Sequence, residues 1–306
     1  MFASLALWLA AAQSPVFTMP LGKPPKQIEQ PPAPIEIAGP EFDAICDDND
    51  DWDKPAPPVR IHANTYLVGT CGISSILIVG SEGHILIDGG TENGADLILA
   101  NIRALGFRSQ DVKILLHSHE HIDHVGGIGR IQQLTGAQLY ASPNAAMVFE
   151  TGTPGPGDPQ AGMHPPFPTA QVSRILRNGE EVRLGNLKLT AIETKGHTQG
   201  ALSWQWVDCD VSAVCHSIVY ADSLSPISRD NYRFTDHPGL VEAFRAGIER
   251  VRRIPCDILL TPHPSASKMI DRMAGRAPLI DPNGCKAYAD MLDKRLDERL
   301  AKEASK

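Results

Sequence analysis

Several things are missing from this chain, and each absence removes a class of function. Past its first dozen residues no segment is apolar for long enough to make a membrane-spanning helix. Neither a GxGxxG nor a GxxxxGK[ST] stretch occurs, so the usual glycine-rich cradles for nucleotide phosphates are excluded. No long run of Lys and Arg appears, and the formal net charge is −8. Nucleic-acid recognition therefore lacks the basic field that phosphate contacts demand. None of the six cysteines sits in a CxxC pair, which sets aside a thioredoxin-like redox motif.

What remains is a chain of 306 residues with 42% hydrophobic and 21% charged positions, the balance of an ordinary globular protein with a sizeable core. Met1 to Ala12 (MFASLALWLAAA) is apolar, too short to cross a bilayer, and ends in small residues. It reads as a signal peptide cut after Ala12, although no Lys or Arg precedes the apolar run. Residues 13–56 form a Pro-rich arm, with eight prolines between positions 13 and 40. The globular domain is expected over 57–306. An even cysteine count suits disulfides in an oxidising compartment, so the protein is expected in the periplasm. Cys209 and Cys215 flank a short segment and read as a local bridge; Cys46 with Cys71 and Cys256 with Cys285 are then the nearest pairings.

Within the domain, β-forming runs at 61–68, 73–79 and 84–87 are separated by Gly and Asn turns, and a helix is expected over 95–102. Val112 to Leu116 reads as a buried strand. The second half repeats this plan, with strands at 187–194, 202–207, 217–221 and 257–260. Helices follow at 240–253 and 287–302. Strands come in runs with helices inserted, so the expected class is α+β, an αββα sandwich of two mixed β-sheets packed face to face with helices on the outer faces. Pro154 to Pro168 is a Gly/Pro loop, a candidate flap over a site.

The chemistry concentrates where strand 112–116 runs into HSHEHIDHVGG. His119 and His121, two apart on extended backbone, share a face and can bind one cation together. Asp123 and His124 on the following turn aim at a point nearby. Imidazoles joined by one carboxylate suit zinc. Gly126 and Gly127 are expected to give the backbone freedom to leave sharply. The cluster supplies four groups, too few for two ions, and two further histidines lie just past expected strands: His197 after 187–194 and His263 after 257–260. His117 is read as part of the buried strand. His62, His84, His216 and His237 are read as structural, and His164 as a possible substrate contact.

HxHxDH, followed in order by GHT and TPHP, resembles the metallo-β-lactamase superfamily over about residues 57–300, and within it the third subclass of class B β-lactamases. His119 stands where the second subclass carries Asn, and Ser223 where the first two carry a ligand Cys. Some members of the third subclass also carry disulfides. The resemblance implies two zinc ions per chain, the first on His119, His121 and His197, the second on Asp123, His124 and His263. It implies Ser223 and Ser225 near the substrate carboxylate, and Asp88 as an outer support. It implies hydrolysis of the β-lactam amide by a hydroxide held between the ions and oriented by the catalytic Asp123, conferring antibiotic resistance. A small-molecule β-lactam is thus the expected partner, with no nucleic acid, no membrane after signal cleavage, and a monomeric state. The Ser265-Ala266-Ser267-Lys268 stretch matches the serine β-lactamase pattern by chance, since neither Ser-Asp-Asn nor Lys-Thr-Gly accompanies it.

Two other readings compete. The same fold hosts lactonases and glyoxalase-type thioesterases, in which a segment like Ala221-Asp222-Ser223 carries a metal-bridging Asp. A non-catalytic metal-binding protein on a decayed fold is the third reading; all six ligand positions being filled speaks against it.

Overall fold

The computed structural model describes residues 39–46 and 50–305. Seven strands form the first sheet in chain order: β1 (Val59–His62), β2 (Thr65–Leu67), β3 (Ile76–Gly80), β4 (Gly83–Ile87), β5 (Val112–Leu116), β6 (Gln138–Ala141) and β7 (Val172–Ile175). Its first four strands pair antiparallel, and from β4 onward the pairs are parallel. The second sheet holds β8 (Glu181–Leu184), β9 (Leu187–Glu193), β10 (Leu202–Cys209), β11 (Cys215–Tyr220) and β12 (Ile258–Leu260) in the order β12-β11-β10-β9-β8, with only β11 and β12 parallel. Both sheets are mixed, as expected from the sequence.

Side chains alternate across each strand, and the central strands are apolar on both faces because both faces are covered. Ile76 and Ile78 of β3, Ile85 and Ile87 of β4, and Ile114 and Leu116 of β5 face Leu189, Trp204, Ile218, Tyr220 and Leu260 across the sandwich. The intervening Leu77, Leu86 and Leu115 pack outward against α2 (Gly94–Ala104), α4 (Ile128–Thr135) and α5 (Pro143–Thr151). On the other side Val219 and Leu259 pack against α6 (Pro238–Arg253) and α8 (Gly284–Ala304). The remaining helices are short: α1 (Gly39–Cys46), α3 (Ile122–Val125) and α7 (Met269–Met273).

The structure adds elements that the sequence did not announce. Strands β6, β7 and β8 are four residues each and lack a strong alternation, and α4 and α5 carry the turn from one parallel strand to the next. The segment read as an arm contains α1, whose Phe42 and Cys46 are buried in the inter-sheet core. The signal-peptide reading, residues 1–12, lies outside the described residues. All six cysteines are paired, Cys46–Cys71, Cys209–Cys215 and Cys256–Cys285, and none is free. Among the described residues no helix is long and apolar enough to cross a membrane.

Candidate metal centre

Strands β4, β5, β9, β11 and β12 all leave their sheets at one end of the sandwich. In the first sheet β4 and β5 are parallel; in the second, β9 and β11 are both antiparallel to β10, and β12 is parallel to β11. The residues just beyond them are Asp88, His117 to His124, Thr194 to His197, Asp222 and His263. This convergence assembles the site from segments far apart in the chain.

His119, His121 and His197 bring one nitrogen each to within 4.8 Å of one another, and His119 also lies that close to Asp123 and His124. His121 Nδ1 is 3.2 Å from His197 Nε2. His124 Nε2 is 3.3 Å from His263 Nε2, and Asp123 Oδ2 is 3.1 Å from the former and 3.4 Å from the latter. A tetrahedral zinc with Zn–N near 2.0–2.1 Å would hold its nitrogens roughly 3.3–3.4 Å apart, so both pairs have the spacing of ligands on a common ion.

Four of the five imidazoles are anchored through the nitrogen that faces away from the cluster. His119 Nδ1 is 2.8 Å from Asp222 Oδ1 and His121 Nε2 is 3.1 Å from Asp158 Oδ1, whereas His124 Nδ1 stays 3.7 Å from Asp88 Oδ2, close enough for charge attraction but without a hydrogen bond. His197 Nδ1 meets the Ser225 carbonyl at 2.7 Å, and His263 Nδ1 meets the Gly72 carbonyl at 3.1 Å. Such partners fix tautomer and ring orientation, leaving the inner nitrogen with its lone pair.

Electrostatics point the same way. Burial pushes the Asp88, Glu120 and Asp222 carboxyls above the usual carboxylate range, Asp222 furthest. Burial drives the His119 imidazole well down, and burial with the nearby His121 brings His197 to about 3. Desolvation also opposes charge on His121 and His263, but adjacent carboxylates, Asp158 for the first and Asp123 for the second, outweigh it and raise both. Asp123 is likewise desolvated, yet His124 and His263 hold it far below its ordinary value. Five imidazoles and the Asp123 carboxylate converging this closely form a nitrogen-and-oxygen donor set of the kind that a divalent cation such as zinc takes, so the residues fit a metal.

Backbone details explain the local sequence. Asp88 follows β4 with φ of 64°, a strained conformation for a residue with a side chain. It is held there because Oδ1 accepts from the Ser118 amide and Oδ2 from the Ser118 and Tyr220 hydroxyls. Gly126 and Gly127 do not supply unusual backbone freedom; their φ values are −57° and −85°. Glycine is needed for space, since a Cβ at Gly127 would stand 2.3 Å from the Gly89 carbonyl oxygen. Glu120 ties two segments together, accepting from Thr198 Oγ1 at 2.6 Å and the Gly200 amide at 2.8 Å.

The other expectations sort clearly. His117 is turned into the core against Phe149, with Nε2 accepting from the Ser142 amide, and burial lowers it to about 3. His62 pairs with His216, His84 packs on Phe107, and His237 stacks on Tyr232, all away from the cluster. His164 is exposed on the 154–168 loop, 5.6 Å from the Trp52 ring. Ser225 Oγ lies 3.4 Å from His197 Nδ1, whereas the buried Ser223 hydroxyl has no partner. Asp158 was not singled out from the sequence. The available signal was that it is the lone carboxylate in the Gly/Pro loop.

The metallo-β-lactamase superfamily model matches residues 68–263. The chain is 52% identical to the structure of the MIM-2 metallo-β-lactamase, with a TM-score of 0.83, covering 87% of this chain and 98% of that one. The MIM-1 enzyme from Novosphingobium pentaromativorans gives 47% identity, a TM-score of 0.85 and the same coverage. MEM-A1, a subclass B3 metallo-β-lactamase from a soil metagenome library, gives 40% identity and a TM-score of 0.80, over 83% of this chain and 99% of that one.

The chain belongs to the metallo-β-lactamase superfamily, in subclass B3.

Among curated sequences of that superfamily the likeness is more distant. A hydroxyacylglutathione hydrolase of Methylococcus capsulatus is 24% identical over 156 residues, 51% of this chain. The chain spans about half the length of the curated relatives it matches, 49% for that one.

Proposed function

We propose that this metallo-β-lactamase hydrolyses the β-lactam amide bond with two zinc ions, one on His119, His121 and His197 and one on Asp123, His124 and His263, and that it confers β-lactam resistance from the periplasm. Ions there would supply Lewis acidity and a water acidified towards neutral pH. The protein's own groups do the rest. His124 and His263 hold Asp123 well below the usual carboxylate range, and its carboxylate can accept a hydrogen bond from the attacking water and so orient it. Ser223 offers a buried hydroxyl without a partner, free to donate to the substrate carboxylate, with Ser225 beside it. Three disulfides suit an oxidising compartment.

The observation that carries the substrate class is Asp222. A thioesterase or lactonase of this fold uses an Asp in this segment to bridge the metals. Here the Asp222 carboxyl is fully buried and spent on His119 Nδ1 and the Leu224 amide, behind the first cluster. The 40–52% identities to β-lactamase structures over most of the chain support the same reading. The thioesterase reading has the hydroxyacylglutathione hydrolases in its favour, at 24–28% identity over 35–51% of the chain. Turnover of nitrocefin and a carbapenem by the zinc-loaded protein, against an acyl-homoserine lactone and lactoylglutathione, separates the two. Hydrolysis of only the last pair overturns the β-lactamase assignment; hydrolysis of none overturns the enzyme.

A further inference from the structure

The 154–168 loop contributes a single carboxylate, and it is not at the surface: Asp158 is 5% exposed. Its Oδ1 lies 3.1 Å from His121 Nε2 and also accepts from the Gln160 amide at 2.7 Å. The backbone around it is pinned. The Asp158 amide donates to the Gly155 carbonyl, Arg229 Nη1 donates to the Asp158 carbonyl at 2.9 Å, and the Arg229 amide donates to the Pro159 carbonyl at 3.0 Å. Arg229 itself is steadied over the Tyr232 ring, 5.2 Å from its centroid. Arg229 belongs to the same connection as Ser225, whose carbonyl holds His197. Two of the three imidazoles in the first cluster are therefore gripped from behind by loops that are fastened to each other.

His121 is also the odd one out. His119, His197 and His263 turn Nε2 inward and use Nδ1 behind, whereas His121 turns Nδ1 towards His197 and uses Nε2 behind. An imidazole without an outer acceptor could carry its proton on either nitrogen, and only one tautomer leaves Nδ1 free to ligate. A buried carboxylate at Nε2 selects that tautomer and restrains ring rotation.

We infer that Asp158 is a positioning residue for the first metal: it keeps the His121 proton on Nε2, so the seating of the 154–168 loop sets the affinity of the His119/His121/His197 cluster. The inference rests on the reading of His121 as a metal ligand. Linkage makes it reciprocal, so an ion on the first cluster also favours the seated loop.

The test compares wild type, Asp158→Ala and Asp158→Asn. Chelator-competition titrations with Zn2+ resolve the two dissociation constants, and 15N NMR of the metal-free protein reads the His121 tautomer. Asp158→Ala should lose about 10–100-fold in first-cluster affinity, the range typical of an outer-shell deletion. The second affinity should hold, and the spectrum should change from a proton on Nε2 to a mixture of tautomers. Asp158→Asn keeps an acceptor oxygen and should restore most of the affinity and the single tautomer. Wild-type affinity for both ions in Asp158→Ala overturns the inference alone. So does an equal loss at both clusters in both variants, which marks general loosening of the fold. A wild-type protein that binds no ion overturns the metal reading itself, and this inference with it.

Discussion

The two halves of the candidate metal centre are built to different standards. The first cluster is three buried imidazoles, with His119, His121 and His197 each no more than 5% exposed, two of them backed by carboxylates on separate loops. The second mixes a carboxylate with two imidazoles, and its His263 side chain is 28% exposed and backed only by a backbone carbonyl. The first half is a dry, preorganised clamp. The second is partly open to solvent at His263 and carries the Asp123 carboxylate, the group proposed to orient the attacking water. With metal bound as proposed, a site divided this way would hold one ion firmly and keep the other side accessible.

That contrast can be attacked in order of expected effect. Removing the proton-handling carboxylate should hurt most: Asp123→Asn should lower kcat by roughly 10²–10⁴-fold, the range of general acid–base catalysis. Metal analysis should then show the first cluster still filled, and loss of both ions would break the division proposed. Next, His197→Ala and His263→Ala should part company in a chelator titration. The His263 variant should keep one tightly held equivalent, while the His197 variant should hold only weak ions. Identical titrations would erase the asymmetry.

A third comparison pits the outer carboxylates against each other. Asp222→Asn should weaken the first ion and Asp88→Asn the second, each by about 10–100-fold, with Asp88→Asn also destabilising the fold because its carboxylate secures a strained backbone. Acidity gives a fourth. His121 and His263 are raised above 6.5, so protons occupy them more readily than ordinary imidazoles. Zinc affinity should then fall as pH drops, starting above 6.5, at both clusters; a titration flat from pH 8 to 6 would contradict this. The smallest effect belongs to a region far from the site. Cys209 and Cys215 are exposed at a hairpin end, so replacing both with Ser should leave turnover unchanged within about twofold, whereas an exposed hairpin linked to the site would show a larger loss.

Much of the site was legible because its inner residues travel in short motifs at strand ends. His119 to His124 follow β5, and His197 and His263 follow β9 and β12, so an apolar run ending in a ligand type marked each. Strands such as β5 were equally plain, Val112 to Leu116 being a continuous apolar-rich run. The weak strands β6, β7 and β8 were not, since four residues with an exposed face carry little periodicity. The role of α1 was hidden by the prolines before it, although Phe42 and Cys46 dock it in the core.

By itself, the sequence determined the mixed-sheet class and the family and pointed to the candidate inner ligands, because strand patterning and the HxHxDH, GHT and TPHP motifs depend on residue type within a few positions; the cysteine pairings were the nearest in sequence, and the fold decided them. Only the tertiary structure decided what stands behind those ligands. Asp222 reaches His119 across 103 residues, Asp158 reaches His121 across 37, and the Gly72 carbonyl reaches His263 across 191. No local pattern encodes such partners; they meet because two sheets pack face to face and send their strand ends to the same edge.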